Sequence, residues 1–160
     1  MYSEDLDQVN QLDRDGKHQE AFDLLCSLGD NNNPMALFEL SSRYYCSESI
    51  EPKVLALDSD IDISKKFAES GKKELELMAE ENGEAMRMLA YLYFGHLCPH
   101  YKDVELAEMH LKKSISAGCH FASNDLATYY RSIDITKARY WYKYAEEHNC
   151  RVIANPELDS

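Results

Sequence analysis

With 160 residues, the chain is long enough for one domain with a sizeable core and too short for two to be expected. Its make-up, 44% hydrophobic and 29% charged, is that of a folded globular chain rather than a disordered one. A net charge of −12 argues against nucleic acid or an anionic membrane as a partner, and no apolar run approaches the roughly 20 residues that a bilayer-spanning helix needs.

The first residues, MYSEDLDQVN, are acidic and lack an apolar core, so they read as neither signal nor transit peptide, and a cytoplasmic location is expected. The charge is uneven. Residues 1–60 hold 13 acids against 4 bases, whereas residues 61–160 hold 16 against 13. The acidic half would suit a basic partner protein, and otherwise keeps the chain soluble. Five cysteines (Cys26, Cys46, Cys98, Cys119 and Cys150) are spread out with no CxxC, which points to reduced thiols rather than a disulfide framework.

In chain order, apolar residues recur at three and four positions, the helical period, over 4–14, 17–28, 34–46, 61–82, 84–94, 103–117, 120–131 and 134–149. Asn33-Pro34 reads as an N-cap followed by proline at the first helical position, and Asp103 and Asp134 precede helical runs as caps. Gly16, Gly29, Gly83 and Gly118 are expected to end helices in the left-handed conformation. Residues 47–60 contain Pro52 and no helical stripe, so they read as an extended, partly mobile loop, and the tail 151–160 as flexible. No segment alternates as a strand would.

The pattern repeats. Ala85, Leu89, Ala90 and Tyr93 return 37 residues later as Ala122, Leu126, Ala127 and Tyr130, and appear earlier as Ala36, Leu40, Ser41 and Tyr44. Asp103, Ala107, His110 and Leu111 return after 31 residues as Asp134, Ala138, Trp141 and Tyr142. Small residues let paired helices approach, and neighbouring pairs must stack to bury their apolar faces. His110 and Trp141 are expected in that core, and Tyr140 and Tyr144 on the outer face.

The stretch EAMRMLAYLYFGHLCPHYKDVELAEMHLKKSISAG resembles a Sel-one-like repeat, a relative of the tetratricopeptide repeats. Ala85, Leu89, Ala90, Tyr93, Gly95, Asp103, Ala107, Leu111, Lys113 and Gly118 match its pattern, with His110 where tryptophan is usual. The next unit matches from Ala122 to Ala145, with Asn149 replacing the final glycine. The resemblance implies an all-α, right-handed solenoid of about eight helices in one structural domain. It would comprise a divergent helical pair (1–33), a degenerate repeat carrying the 47–60 loop (34–83), repeats over 84–118 and 119–150, and the tail.

GHLCPHYKD occupies the connector between the two helices of its unit, lengthened by two residues. His96, Cys98 and His100 are three metal-loving residues, but a zinc site wants a fourth ligand within ~2.0–2.3 Å of the ion. Cys119-His120 lies beyond a helix of about 15 residues, ~22 Å long, and cannot converge with them. A repeat connector is therefore expected, with no metal and no cofactor. Cys98 or Cys119 next to histidine suggests a nucleophile–base pair, but neighbours in sequence rarely present that geometry, and no oxyanion hole or phosphate cradle is visible, so no enzyme is expected.

The tetratricopeptide geometry implies a concave face lined by the first helix of each pair. The positions are Met35, Phe38, Ser42 and Tyr45, then Arg87, Tyr91 and Phe94, then Phe121, Asn124, Thr128 and Arg131. Aromatics and arginines carry interface energy. The expected function is binding another protein or peptide, as adaptor or scaffold, with no small-molecule substrate. A stoichiometric, immunity-type inhibitor of a basic effector is the alternative, and a metal-dependent regulator built on residues 96–100 a third reading.

Overall fold

The computed structural model describes residues 3–46 and 53–152. Among these there are eight helices and no strand: α1 (Ser3–Arg14), α2 (His18–Asp30), α3 (Pro34–Tyr45), α4 (Ile61–Ala79), α5 (Gly83–Tyr93), α6 (Val104–Ser116), α7 (Ala122–Tyr130) and α8 (Ile135–Glu147). The protein is all-α. No described helix is long and apolar enough to cross a membrane. Of the expected loop, residues 53–60 carry no regular structure, and 47–52 lie outside the described residues, as do 153–160 of the tail.

Side-chain caps set the helix starts. Asn33 accepts from the amides of Met35 and Ala36, Asp103 from that of Leu106, and Asp134 from those of Thr136 and Lys137. Each satisfies amides that have no partner within the helix. Asn82 caps α5 in the same way, which moves the end of α4 back from the expected 82 to Ala79. Gly83 is therefore the first residue of α5 and not a left-handed terminator. A Cβ there would lie 3.0 Å from that of Cys119, so its lack of a side chain serves a close approach. Gly29 is likewise helical, lying beneath Leu40, and the left-handed residue after α2 is Asn32. Gly118 takes the expected positive φ, and Asn149 takes the equivalent place after α8 at φ 55°, a conformation asparagine tolerates.

The contacts divide the chain into two compact units: Met1–Leu77 with Gly95–Lys102, and Met78–Phe94 with Asp103–Ser160. In the first, α1, α2 and α3 pack together around Val9, Ala21, Leu25, Ala36 and Leu40, with Phe67 of α4 against this cluster. In the second, α5 pairs with α6, α6 with α7 and α7 with α8. All eight repeated first-helix positions there, Ala85, Leu89, Ala90, Tyr93 and Ala122, Leu126, Ala127, Tyr130, are buried. Ala107, Leu111, Ala138 and Tyr142 join them from the second helices. His110 and Trp141 are only half-buried. His110 lies parallel to Tyr93 with ring centres 5.5 Å apart, at the edge of the core rather than within it.

Candidate interaction surface

In the second unit, α5 and α7 bring Arg87, Tyr91, Asp125 and Phe121 together. Arg87 grips Asp125 with two nitrogens: Nε donates to Oδ2, and Nη2 donates to Oδ1 at 3.1 Å. Nη2 also reaches the Tyr91 hydroxyl at 2.5 Å, and that hydroxyl donates to Asp125 Oδ1 at 2.8 Å. The guanidinium carbon lies 4.5 Å from the centre of the Phe121 ring and 5.2 Å from that of Tyr91. A planar, forked cation suits this double demand, pairing in its plane and stacking on its face.

The cluster is half-buried: 20% of the Arg87 side chain and 17% of Asp125 remain exposed. Burial opposes the charge on Arg87, but the hydrogen bond and charge of Asp125 outweigh it and push the guanidinium pKa up. Burial, then the Asp125 hydrogen bond and charge, push the Tyr91 phenol up to about 12. Tyr91 is therefore a fixed donor throughout the neutral range. Phe121 is 37% exposed. Farther along, Phe94 tilts against Tyr129 with ring centres 5.3 Å apart. Thr128 and Arg131 are exposed one and two helical turns beyond Asn124, with the Thr128 hydroxyl donating to the Asn124 carbonyl at 2.9 Å.

Two residues expected on this surface leave it. Asn124 is 2% exposed. Its Nδ2 donates to the carbonyls of Phe121 and Cys150, and its Oδ1 accepts from the Val152 amide, so it fastens residues 150–152 to α7. In the first unit, Phe38 is 1% exposed. Its ring lies on Gly71, where a Cβ would come within 2.9 Å, so the missing side chain on α4 makes the slot that buries it. Met35 and Ser42 are half-buried, and Tyr45 is 46% exposed.

The connector belongs to the first unit. Its ends meet where the Asp103 amide donates to the Tyr93 carbonyl at 2.8 Å. His100 Nε2 lies 2.7 Å from Ser64 Oγ, and that hydroxyl donates to the Ser41 carbonyl at 2.6 Å. The single hydroxyl proton is thus engaged, so Nε2 carries a hydrogen and donates. Burial and the charge of Lys65 push the His100 pKa down, consistent with this neutral tautomer. Its ring also meets Tyr45 edge-on, with centres 5.5 Å apart. Ser64 is fully buried, so the pair resembles a nucleophile and base only in residue type. Cys98 is 3% exposed, and burial raises its thiol pKa, disfavouring the thiolate a metal or nucleophile requires. His96 is exposed. Among the described residues, no group of three or more His, Cys, Asp or Glu could hold a metal ion. All five cysteines are thiols, none of them joined in a disulfide.

Sequence reasoning missed Asp125 and Tyr129. Asp125 sits 38 residues from Arg87, and only the repeat register, which sets α5 beside α7, could have suggested the pair. No family model, curated protein or solved structure matches the chain.

Proposed function

We propose that this chain is a cytoplasmic, non-catalytic adaptor or scaffold built from Sel-one-like repeats stacked as a right-handed solenoid. Its contact face for a partner protein is the α5–α7 surface of the second unit. The observation that carries the reading is the clamp of Arg87, Asp125 and Tyr91, which fixes an arginine between two aromatic rings at a half-open surface. Held rigidly, Phe121 and Tyr91 offer contact area at little entropic cost. Arg87 positions the face, because its fork is already engaged. Contact then falls to Phe121, Phe94, Thr128 and Arg131. The repeat resemblance supports the same choice of helices.

A second reading, an immunity-type inhibitor of a basic effector, rests on the concentration of acids in the first 60 residues. The test is affinity capture from native lysate of the source cells, followed by reconstitution with the purified captured protein. The Thr128→Glu, Arg131→Glu double variant leaves the clamp intact. Loss of a stoichiometric partner with this variant supports the α5–α7 face. A basic partner retained by it, but lost when Glu20 and Asp23 are reversed to lysine, favours the second reading.

A further inference from the structure

The last described helix presents a surface that the α5–α7 face does not use. Ala138, Tyr142 and Ala145 bury one side of α8. On its flank, Lys137, Tyr140, Trp141, Tyr144 and His148 follow one another at helical spacing. Their rings form a continuous array. Tyr140 meets Trp141 edge-on at 5.0 Å between centres, and Trp141 meets Tyr144 at 5.6 Å. Tyr144 stacks on His148 at 3.9 Å, and His148 on His120 at 4.4 Å. Hydrogen bonds fix the far end: His120 Nδ1 to the Tyr144 hydroxyl at 2.9 Å, and His148 Nδ1 to the Tyr144 carbonyl at 2.8 Å. Tyr140 is 62% exposed, and Trp141 and Tyr144 are half-open.

The charge around this array reverses that of the molecule. Residues 131–148, which span α8 and the array, hold Arg131, Lys137, Arg139 and Lys143 against Asp134, Glu146 and Glu147, a net charge of +1 in a chain of net charge −12. The Asp134 carboxylate is occupied in capping α8. Lys143 keeps three quarters of its side chain exposed despite a 3.8 Å pairing with Glu147.

We propose that this face of α8 docks a short acidic segment of a partner protein, one that carries an aromatic side chain beside its carboxylates. The carboxylates would meet Lys137 and Lys143, and the aromatic ring would stack on the exposed edge of Tyr140 and Trp141. Four cations are too few to hold a long polyphosphate against the acidic remainder of the chain. A short segment is different: at about 0.15 M salt, charges farther than ~8 Å away are largely screened, so the local lysines decide.

Trp141 is the single tryptophan and reports on the site directly. The experiment titrates the full chain with the blocked peptide EEYEEYE at about 0.15 M salt and follows tryptophan emission. A saturable change is expected, weakened about tenfold or more in Lys137→Glu, Lys143→Glu and in Tyr140→Ser, and weaker for EESEESE. Circular dichroism verifies that the variants are folded. The Thr128→Glu variant, which alters the α5–α7 face but none of these cations, should bind the peptide nearly as wild type, which separates this site from that face. No saturable response, an equal response in the lysine variant, or tighter binding of oligothymidylate than of the peptide would overturn the proposal.

Discussion

Each unit contains an arginine–aspartate pair joining two helices, and the two pairs differ in their access to water. In the first unit, Arg43 Nη2 donates to Asp13 Oδ2 at 2.7 Å, with side chains 4% and 0% exposed. Arg43 Nε also reaches Glu39 at 2.9 Å, and His18 lies 3.0 Å from the other Asp13 oxygen. Even so, Arg43 Nη1 is buried with no hydrogen-bond partner. In the second unit, Arg87 and Asp125 remain about one-fifth open to water. A buried pair fixes the register of α1 against α3 and is intolerant of losing one member. A half-open pair can hold a surface in shape while leaving its rings available.

That contrast is sharpest in truncation. Asp13→Ala leaves the buried Arg43 with only the more exposed Glu39 as counter-charge and should cost about 3–5 kcal/mol in urea unfolding. Replacing both members, Asp13→Leu with Arg43→Met, should recover most of this. If the single and double variants are equally unstable, the buried-charge account fails. Asp125→Ala should cost less, about 1–3 kcal/mol, because Arg87 can turn toward water. A larger loss than with Asp13→Ala would reverse the assignment of the two pairs.

The half-open pair also has a signature in alkali. Tyr91 is raised from an ordinary value near 10 to about 12 in the folded chain. Its contribution to stability is therefore complete below pH ~10 and lost as pH rises through about 12. Tyrosinate absorbance should show late-titrating tyrosine in the native protein, and one of these groups should titrate earlier in Asp125→Ala, because burial alone then holds Tyr91 up. An unchanged titration in that variant would separate Tyr91 from Asp125.

Smaller effects are expected at the connector. His100→Ala removes one hydrogen bond from Ser64 and should cost about 1 kcal/mol. Faster amide exchange should follow in residues 95–102, while α7 and α8 are unaffected. Glu108 supplies the least. Burial opposes its charge, but hydrogen bonds from Lys112 and Tyr130 prevail and lower its pKa. Its contribution is present above the ordinary carboxylate pKa and disappears as pH falls through the lowered one. The stability gap between wild type and Glu108→Gln should therefore close in acid, and a gap that widens there would refute the pairing.

Much of the scaffold was legible because local chemistry carries it. Asn33, Asp103 and Asp134 announce helix starts, and the three-and-four periodicity places all eight helices within a few residues. The exceptions have local causes: Asn82 takes the next helix start, and Gly29 and Gly83 serve close packing rather than left-handed turns. The surface was less legible because its fate depends on residues distant in sequence. Phe38 is buried by a missing side chain at Gly71, and Asn124 by a backbone that returns at Cys150 and Val152. Arg87 looked like a free contact residue until Asp125 came beside it. Patterns along one helix face cannot reveal such pairings.

The most direct test of the central claim, that the α5–α7 face holds a partner protein on a surface braced by Arg87 and Asp125, measures that partner's affinity after capture and purification. Titration calorimetry would compare wild type with Thr128→Glu, Arg131→Glu. The account predicts stoichiometric binding weakened at least tenfold in the variant, with urea stability within about 0.5 kcal/mol of wild type. Equal affinity for both proteins would contradict it and place the partner elsewhere on the molecule.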